Sequence, residues 1–184
     1  MDPLTPQAAV MAVGCLIAIY TDVRWGKIYN WTTMPMMALG LAMNVTVGAW
    51  WVGVMGFAVA FVIHYALFRA GIQKGGDTKL MMGIGALLGA HFALEASIWY
   101  AVFYVPAGLA VLTLKGRLGN LFKVVQYESA RKSGAEGEEL ERPEETLLRT
   151  APVIAFAAFA AFTTPWLHFL LFASGGSGPL STGG

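Results

Sequence analysis

Cysteine is nearly absent from this chain. Its 184 residues hold one, Cys15, inside an apolar run. That excludes an internal disulfide and any zinc site built on paired cysteines, and leaves Cys15 as a small apolar packer. Charge is scarce as well: 12% of residues are Asp, Glu, Lys or Arg, against about 25% in soluble domains. The net charge is +1, so no basic footprint argues for nucleic acid. No metal-ligand spacing links His64, His91 and His168, and no metal or other cofactor is expected. The first apolar run, about residues 7–21, follows Pro3 and Pro6 without a basic n-region. It therefore reads as a retained spanning helix, not a cleaved signal peptide.

Apolar sequence is abundant, at 57% of residues. The expected fold class is an all-α membrane protein. A bilayer span takes about 17–25 predominantly apolar residues, and six stretches qualify: about 4–21, 31–48, 50–68, 78–94, 96–114 and 150–173. Turns are expected near Gly48 and Glu95, with polar loops at 22–30 and 69–77. A long charged segment at 115–149 stands before the last span. This predicts one polytopic six-helix domain over 1–173, in a lipid bilayer, with a flexible Gly/Ser-rich tail at 174–184. The fourth span is rich in glycine (Gly83, Gly85, Gly89), which suits close helix packing in lipid.

All twelve Lys and Arg fall in the first, third and fifth loops. Six spans put those loops on one face, which the positive-inside rule makes cytoplasmic, with both termini outside. Two acids share that face. Asp22 ends the first span and Asp77 opens the fourth, whereas Asp2 and Glu95 fall opposite and the other seven acids lie in the long loop. A charged side chain at bilayer depth costs about 2.5–3.5 kcal/mol on insertion scales. One aspartate is accounted for as a helix N-cap; two at one depth suggest a pair. Carboxyl groups sharing a proton carry out aspartic proteolysis, one activating water as general base while the other polarises the scissile carbonyl. Helix dipoles would favour an anion at Asp77, before a helix N-terminus, and disfavour one at Asp22, after a C-terminus. Asp22 is accordingly expected to hold the proton at rest.

At these residues the chain resembles a known family. Asp22, Ile28 and Asn30 resemble the first aspartate motif of the type IV prepilin peptidases. Gly76-Asp77-Thr78-Lys79-Leu80 resembles their second, Gly-x-Gly-Asp-x-Lys, whose Gly-x-Gly-Asp part is shared with presenilin-like intramembrane aspartyl proteases. Tyr29 stands where the family has proline, and Lys74 where it has the first glycine. The resemblance covers roughly residues 7–115. It implies an aspartic endopeptidase that removes the leader of prepilin-like precursors at the cytoplasmic face of a bacterial inner membrane, with Asp22 and Asp77 catalytic. Longer members add a four-cysteine zinc domain and methylate the new N-terminus. With Cys15 alone, this chain is expected to lack that activity and to be similar to the short enzymes of tight-adherence (Tad/Flp) pili. Two alternatives remain: an intramembrane aspartyl protease for other peptides, and a small proton-coupled transporter using both aspartates as a relay.

Other residues admit two readings each. Gly75 and Gly76 either let backbone approach an extended substrate or let the chain turn into the fourth helix. Lys79 either biases the dyad or snorkels to the interface. His64 reads as a core histidine bonded to a neighbouring helix, and Asn44 and Thr46 as interhelical hydrogen-bonders. Trp50, Trp51, Trp99 and Trp166 form an expected outer belt, and Trp25 and Trp31 an inner one. Leu118, Leu121, Phe122 and Val125 predict an amphipathic cytoplasmic helix between the fifth and sixth spans. The acidic run 136–145 beyond it is either solvated linker or an attractor for a basic leader.

Overall fold

The computed structural model describes residues 5–70, 72–114 and 149–164, and among these all regular structure is helical. The elements are α1 (Pro6–Trp25), α2 (Asn30–Thr46), α3 (Trp50–Arg69), α4 (Gly75–Leu114) and α5 (Ala151–Thr163). The amphipathic helix expected at 118–125, the acidic run, Trp166, His168 and the tail lie outside the described residues.

Local chemistry sets the helix ends. Thr5 caps α1 by accepting from the Ala8 N–H (3.2 Å), and Pro6 supplies a preset first turn. Gly26 ends α1 in the left-handed region (φ 71°), and its N–H returns to the Asp22 carbonyl (2.8 Å). α1 thus runs four residues further than the apolar run suggested, and Asp22 lies in its last turn instead of after it.

The largest departure from expectation is in α4. Its helical backbone passes through Glu95 without a turn and breaks at Gly89 (φ 88°, ψ 176°), a conformation that side chains with a Cβ rarely adopt. The break folds α4 back on itself. The His64 carbonyl accepts from the Thr78 hydroxyl (3.3 Å), while its ring Nε2 bonds Ser97 Oγ (3.0 Å). In a straight helix Thr78 and Ser97 would stand about 28 Å apart along the axis, beyond the reach of one histidine. Glu95 therefore does not mark a loop. It is buried in the second arm of α4, with His91 Nδ1 3.9 Å from its Oε2. Trp99 moves with it, into the middle of that arm and out of the expected outer belt.

A break in a buried helix strands the carbonyls of the turn before it, and in lipid these must find donors. Asn44 reaches across from α2 to supply them, donating to Ala86 O (3.0 Å) and Leu87 O (3.3 Å). Thr46, by contrast, bonds only Met43 O of its own helix (2.8 Å). Glycine permits the close approach of α3 to α4: a Cβ on Gly56 would collide with the Gly85 carbonyl, and one on Gly85 with that of Gly56. Gly83 packs on Met36. His64, fully buried, joins Gln73 through Nδ1 (2.9 Å) as well as Ser97, and meets Tyr100 edge-on.

α1 packs against α2 and α5, and α2 against α3. α5 buries Ala151, Ile154, Ala157, Ala158 and Ala161 on one face, and Phe162 meets Phe92 of the second α4 arm (centroids 4.7 Å). Outward positions are apolar, including Leu16, Val62 and Phe156, as for helices solvated by lipid. By length and composition, three segments are long and apolar enough to cross a bilayer: Pro6–Trp25, Trp50–Arg69 and Gly75–Ala110, the last divided by the break at Gly89. α2, at 17 residues, and the 13 residues of α5 are shorter. The described residues fall into two compact units. One runs to Ala101 and resumes at Arg149; the other begins at Val102 and is helical to Leu114.

Candidate active site

Two carboxyl groups lie within the apolar interior at one end of the bundle. Asp22 is 5% exposed and Asp77 2%. Each is placed by a helix end. Asp77 sits in the first turn of α4, where its Oδ2 accepts from the Lys74 N–H (3.2 Å), a local cap. Thr78 reinforces the turn by donating to the Lys74 carbonyl (3.2 Å). Asp22 sits in the last turn of α1, with its carbonyl occupied by Gly26 N–H and its side chain directed at α5.

The start of α5 joins them. The Thr150 hydroxyl donates to Asp77 Oδ1 (2.6 Å), and the Ala151 N–H donates to Asp22 Oδ2 (3.0 Å). The Arg149 guanidinium donates to the Asp22 carbonyl, a favourable place for a cation at the C-terminal end of α1. Thr150 Oγ1 and Ala151 N are four covalent bonds apart, so these contacts hold the two bonded carboxyl oxygens within about 10 Å of each other.

Asp22 thereby receives the N-terminus of α5, just as Asp77 occupies that of α4. The expected dipole asymmetry fails: both carboxyls face the positive end of a helix, and the assignment of the resting proton to Asp22 loses its basis.

The remaining motif residues meet as a second layer. A Cβ on Gly76 would lie 3.0 Å from Ile28 Cβ and 3.1 Å from its carbonyl, so the bare backbone of Gly76 lets the first loop close against α4. Lys79 Nζ donates to Asn30 Oδ1 (2.9 Å). Gly75 differs, since a Cβ there would make only ordinary contact with the Phe68 ring at 3.6 Å. All six described basic residues (Arg24, Lys27, Arg69, Lys74, Lys79, Arg149) belong to the segments at this end. Among the described residues, no three of His, Cys, Asp or Glu are placed to hold a metal ion.

Sequence reasoning missed Thr150 and Ala151. A threonine before an apolar run reads as an ordinary N-cap, yet Thr150 makes no side-chain cap bond. Its partner lies 73 residues away, and no local pattern records that distance.

Chemically, two buried carboxyls this near are equipped for general acid–base work on a water between them. Comparison with known proteins fits that capability. Preflagellin peptidase of Methanococcus voltae is 32% identical over 108 residues, 53% of this chain and 46% of the relative. Preflagellin peptidase of Methanocaldococcus jannaschii is 34% identical over 86 residues, 43% of this chain and 36% of the relative. The chain thus matches less than half the length of either. No solved structure matches it. The model of the type IV leader peptidase family matches residues 9–114, which include both aspartates and more than half of the sequence, and the chain belongs to that family.

Proposed function

We propose that this protein is a membrane-embedded aspartic endopeptidase that removes the leader from prepilin- or preflagellin-like precursors, with Asp22 and Asp77 as its catalytic pair. The observation that carries this reading is the tethering of two buried carboxyls, from separate helices, by the adjacent residues Thr150 and Ala151. In the reaction one carboxylate takes a proton from water as the oxygen attacks the scissile carbonyl. The other carboxyl, protonated, donates to the developing oxyanion, and the proton passes to the leaving amine as the intermediate collapses. Neither aspartate is assigned permanently to either role, because the pair titrates as a unit.

The substrate fits the site's position. A precursor with a basic leader ahead of an apolar helix would bring its scissile bond to the membrane edge. The cluster of basic residues at the aspartate end supports reading that edge as the cytoplasmic one. The bond must be extended when attacked, since a helical carbonyl is engaged by its i+4 donor. Gly76, Ile28, Lys79 and Asn30 shape the loop that flanks the dyad; Gly75, where a Cβ would make only ordinary contact with the Phe68 ring, is the glycine proposed to lie along an extended substrate. As a narrower proposal, the precursors are of the Tad/Flp kind and the membrane is a bacterial inner membrane.

Co-expression with candidate precursors tests the reading. Wild type should shorten a precursor of this class, and Asp22→Asn and Asp77→Asn should each abolish processing while still inserting in the membrane. Processing by either variant at the wild-type level would refute the dyad.

A further inference from the structure

Three consecutive residues, Arg149, Thr150 and Ala151, each place a donor on one of the two aspartates, and these donors are not equivalent. Arg149 holds only the Asp22 main-chain carbonyl, and Ala151 gives Asp22 a backbone N–H. Thr150 alone contributes a side chain to a carboxyl, at 2.6 Å from Asp77 Oδ1, the shorter of the two carboxyl contacts.

Thr150 occupies the N-cap position of α5, where a threonine hydroxyl normally satisfies its own helix. It makes no such bond. Its hydroxyl is given instead to the carboxyl of another helix, and the residue is 5% exposed. Asp77 Oδ2 is already fixed by the Lys74 N–H, so the Thr150 bond fixes the second oxygen and with it the plane of the carboxyl. Ala151, one residue on, binds Asp22. The separation of the two carboxyls is therefore bounded by one dipeptide and its two hydrogen bonds, a more directional constraint than the packing of two apolar helices.

We infer that Thr150 is a positioning residue for the leader-peptidase reaction, orienting the Asp77 carboxyl and keying it to Asp22 through the adjoining Ala151 N–H. The inference rests on the proposed Asp22/Asp77 chemistry. The segment matched by the family model ends before Thr150, so the assignment comes from the contacts alone.

The test uses the full chain reconstituted in lipid vesicles, with a precursor peptide that wild type cleaves. Thr150→Val keeps shape and removes the hydroxyl; Thr150→Ser keeps the hydroxyl. A hydrogen bond to a charged group is worth enough to change rates about 10- to 100-fold. Thr150→Val should lower kcat by that factor with KM within about twofold of wild type, and Thr150→Ser should restore kcat to within about threefold. Wild-type kcat in Thr150→Val, or a loss in Thr150→Ser equal to that in Thr150→Val, would overturn the inference. Should Thr150→Val not be recovered folded, Thr150→Ala replaces it under the same criteria. Asp22→Asn and Asp77→Asn run alongside separate the two ideas. If both cleave normally the dyad itself is wrong, whereas if both are inactive and Thr150→Val is normal, only the positioning role fails.

Discussion

The two ends of the α4 hairpin are built on opposite principles. At the aspartate end, contacts are directional and polar: Thr150 to Asp77, Ala151 to Asp22, Lys79 to Asn30. Toward the Gly89 end, backbones approach through missing side chains, Gly56 against Gly85, and one amide, Asn44, answers the carbonyls exposed by the break. The first kind of contact fixes where particular atoms point. The second fixes how near two helices come and says little about any single atom. A hydrolytic site needs the former, and a hairpin in lipid needs the latter.

Substitutions should separate the two ends, and the glycine end should give the largest loss of stability. Gly85→Leu drives a side chain into the Gly56 backbone. Overpacking of this kind costs about 1–3 kcal/mol, occasionally more, so thermal unfolding in detergent should start markedly lower, with activity per folded molecule retained. Gly89→Ala comes next: the backbone of Gly89 (φ 88°, ψ 176°) lies in a region essentially confined to glycine and costs about 1–3 kcal/mol for a residue with a Cβ, again lowering the unfolding midpoint before it touches cleavage. If either change instead abolished catalysis in a protein of unaltered stability, the division between the ends would be false.

Smaller effects are expected nearer the surface of the aspartate end. Lys79→Met removes the Asn30 bond. As a partly exposed contact it should cost less than about 1.5 kcal/mol, visible as a slight fall in stability and a few-fold fall in kcat/KM. A total loss of cleavage would instead give Lys79 a role in the chemistry. Smallest of all, and outside the described residues, neutralising Glu136, Glu138, Glu139, Glu141, Glu144 and Glu145 to Gln should weaken cleavage of a basic-leader precursor most at low salt, if that run attracts the leader, because salt screens charge attraction over about 10 Å at 0.1 M ionic strength. Equal activity at every ionic strength would leave that run as plain linker.

What could be read ahead of the structure followed from how costly each residue is in its place. Asp22 and Asp77 stand out because a carboxyl beside an apolar run demands a reason, and both proved buried at one end of the fold. The helical class followed from composition in the same way. Glu95 misleads for the same reason that the aspartates inform: a charge beside an apolar run reads as the end of a span, but the second arm of α4 carries Glu95 into the interior, with His91 a turn earlier 3.9 Å from its carboxylate. Gly89, third in a run of packing glycines, gave no sign that it would break the helix and the others would not. Thr150 was invisible because its meaning lies in a contact with α4, which only the tertiary fold brings within reach.

The most direct test of the paired carboxyls is cleavage kinetics of Asp22→Asn, Asp77→Asn and the double variant, all in lipid vesicles with one precursor. Groups that act as a unit are lost as a unit: each single change should cut kcat by at least about a thousandfold, and the double variant should be no worse than either. A single variant cleaving within about tenfold of wild type, or a double variant far below both singles, would contradict the account.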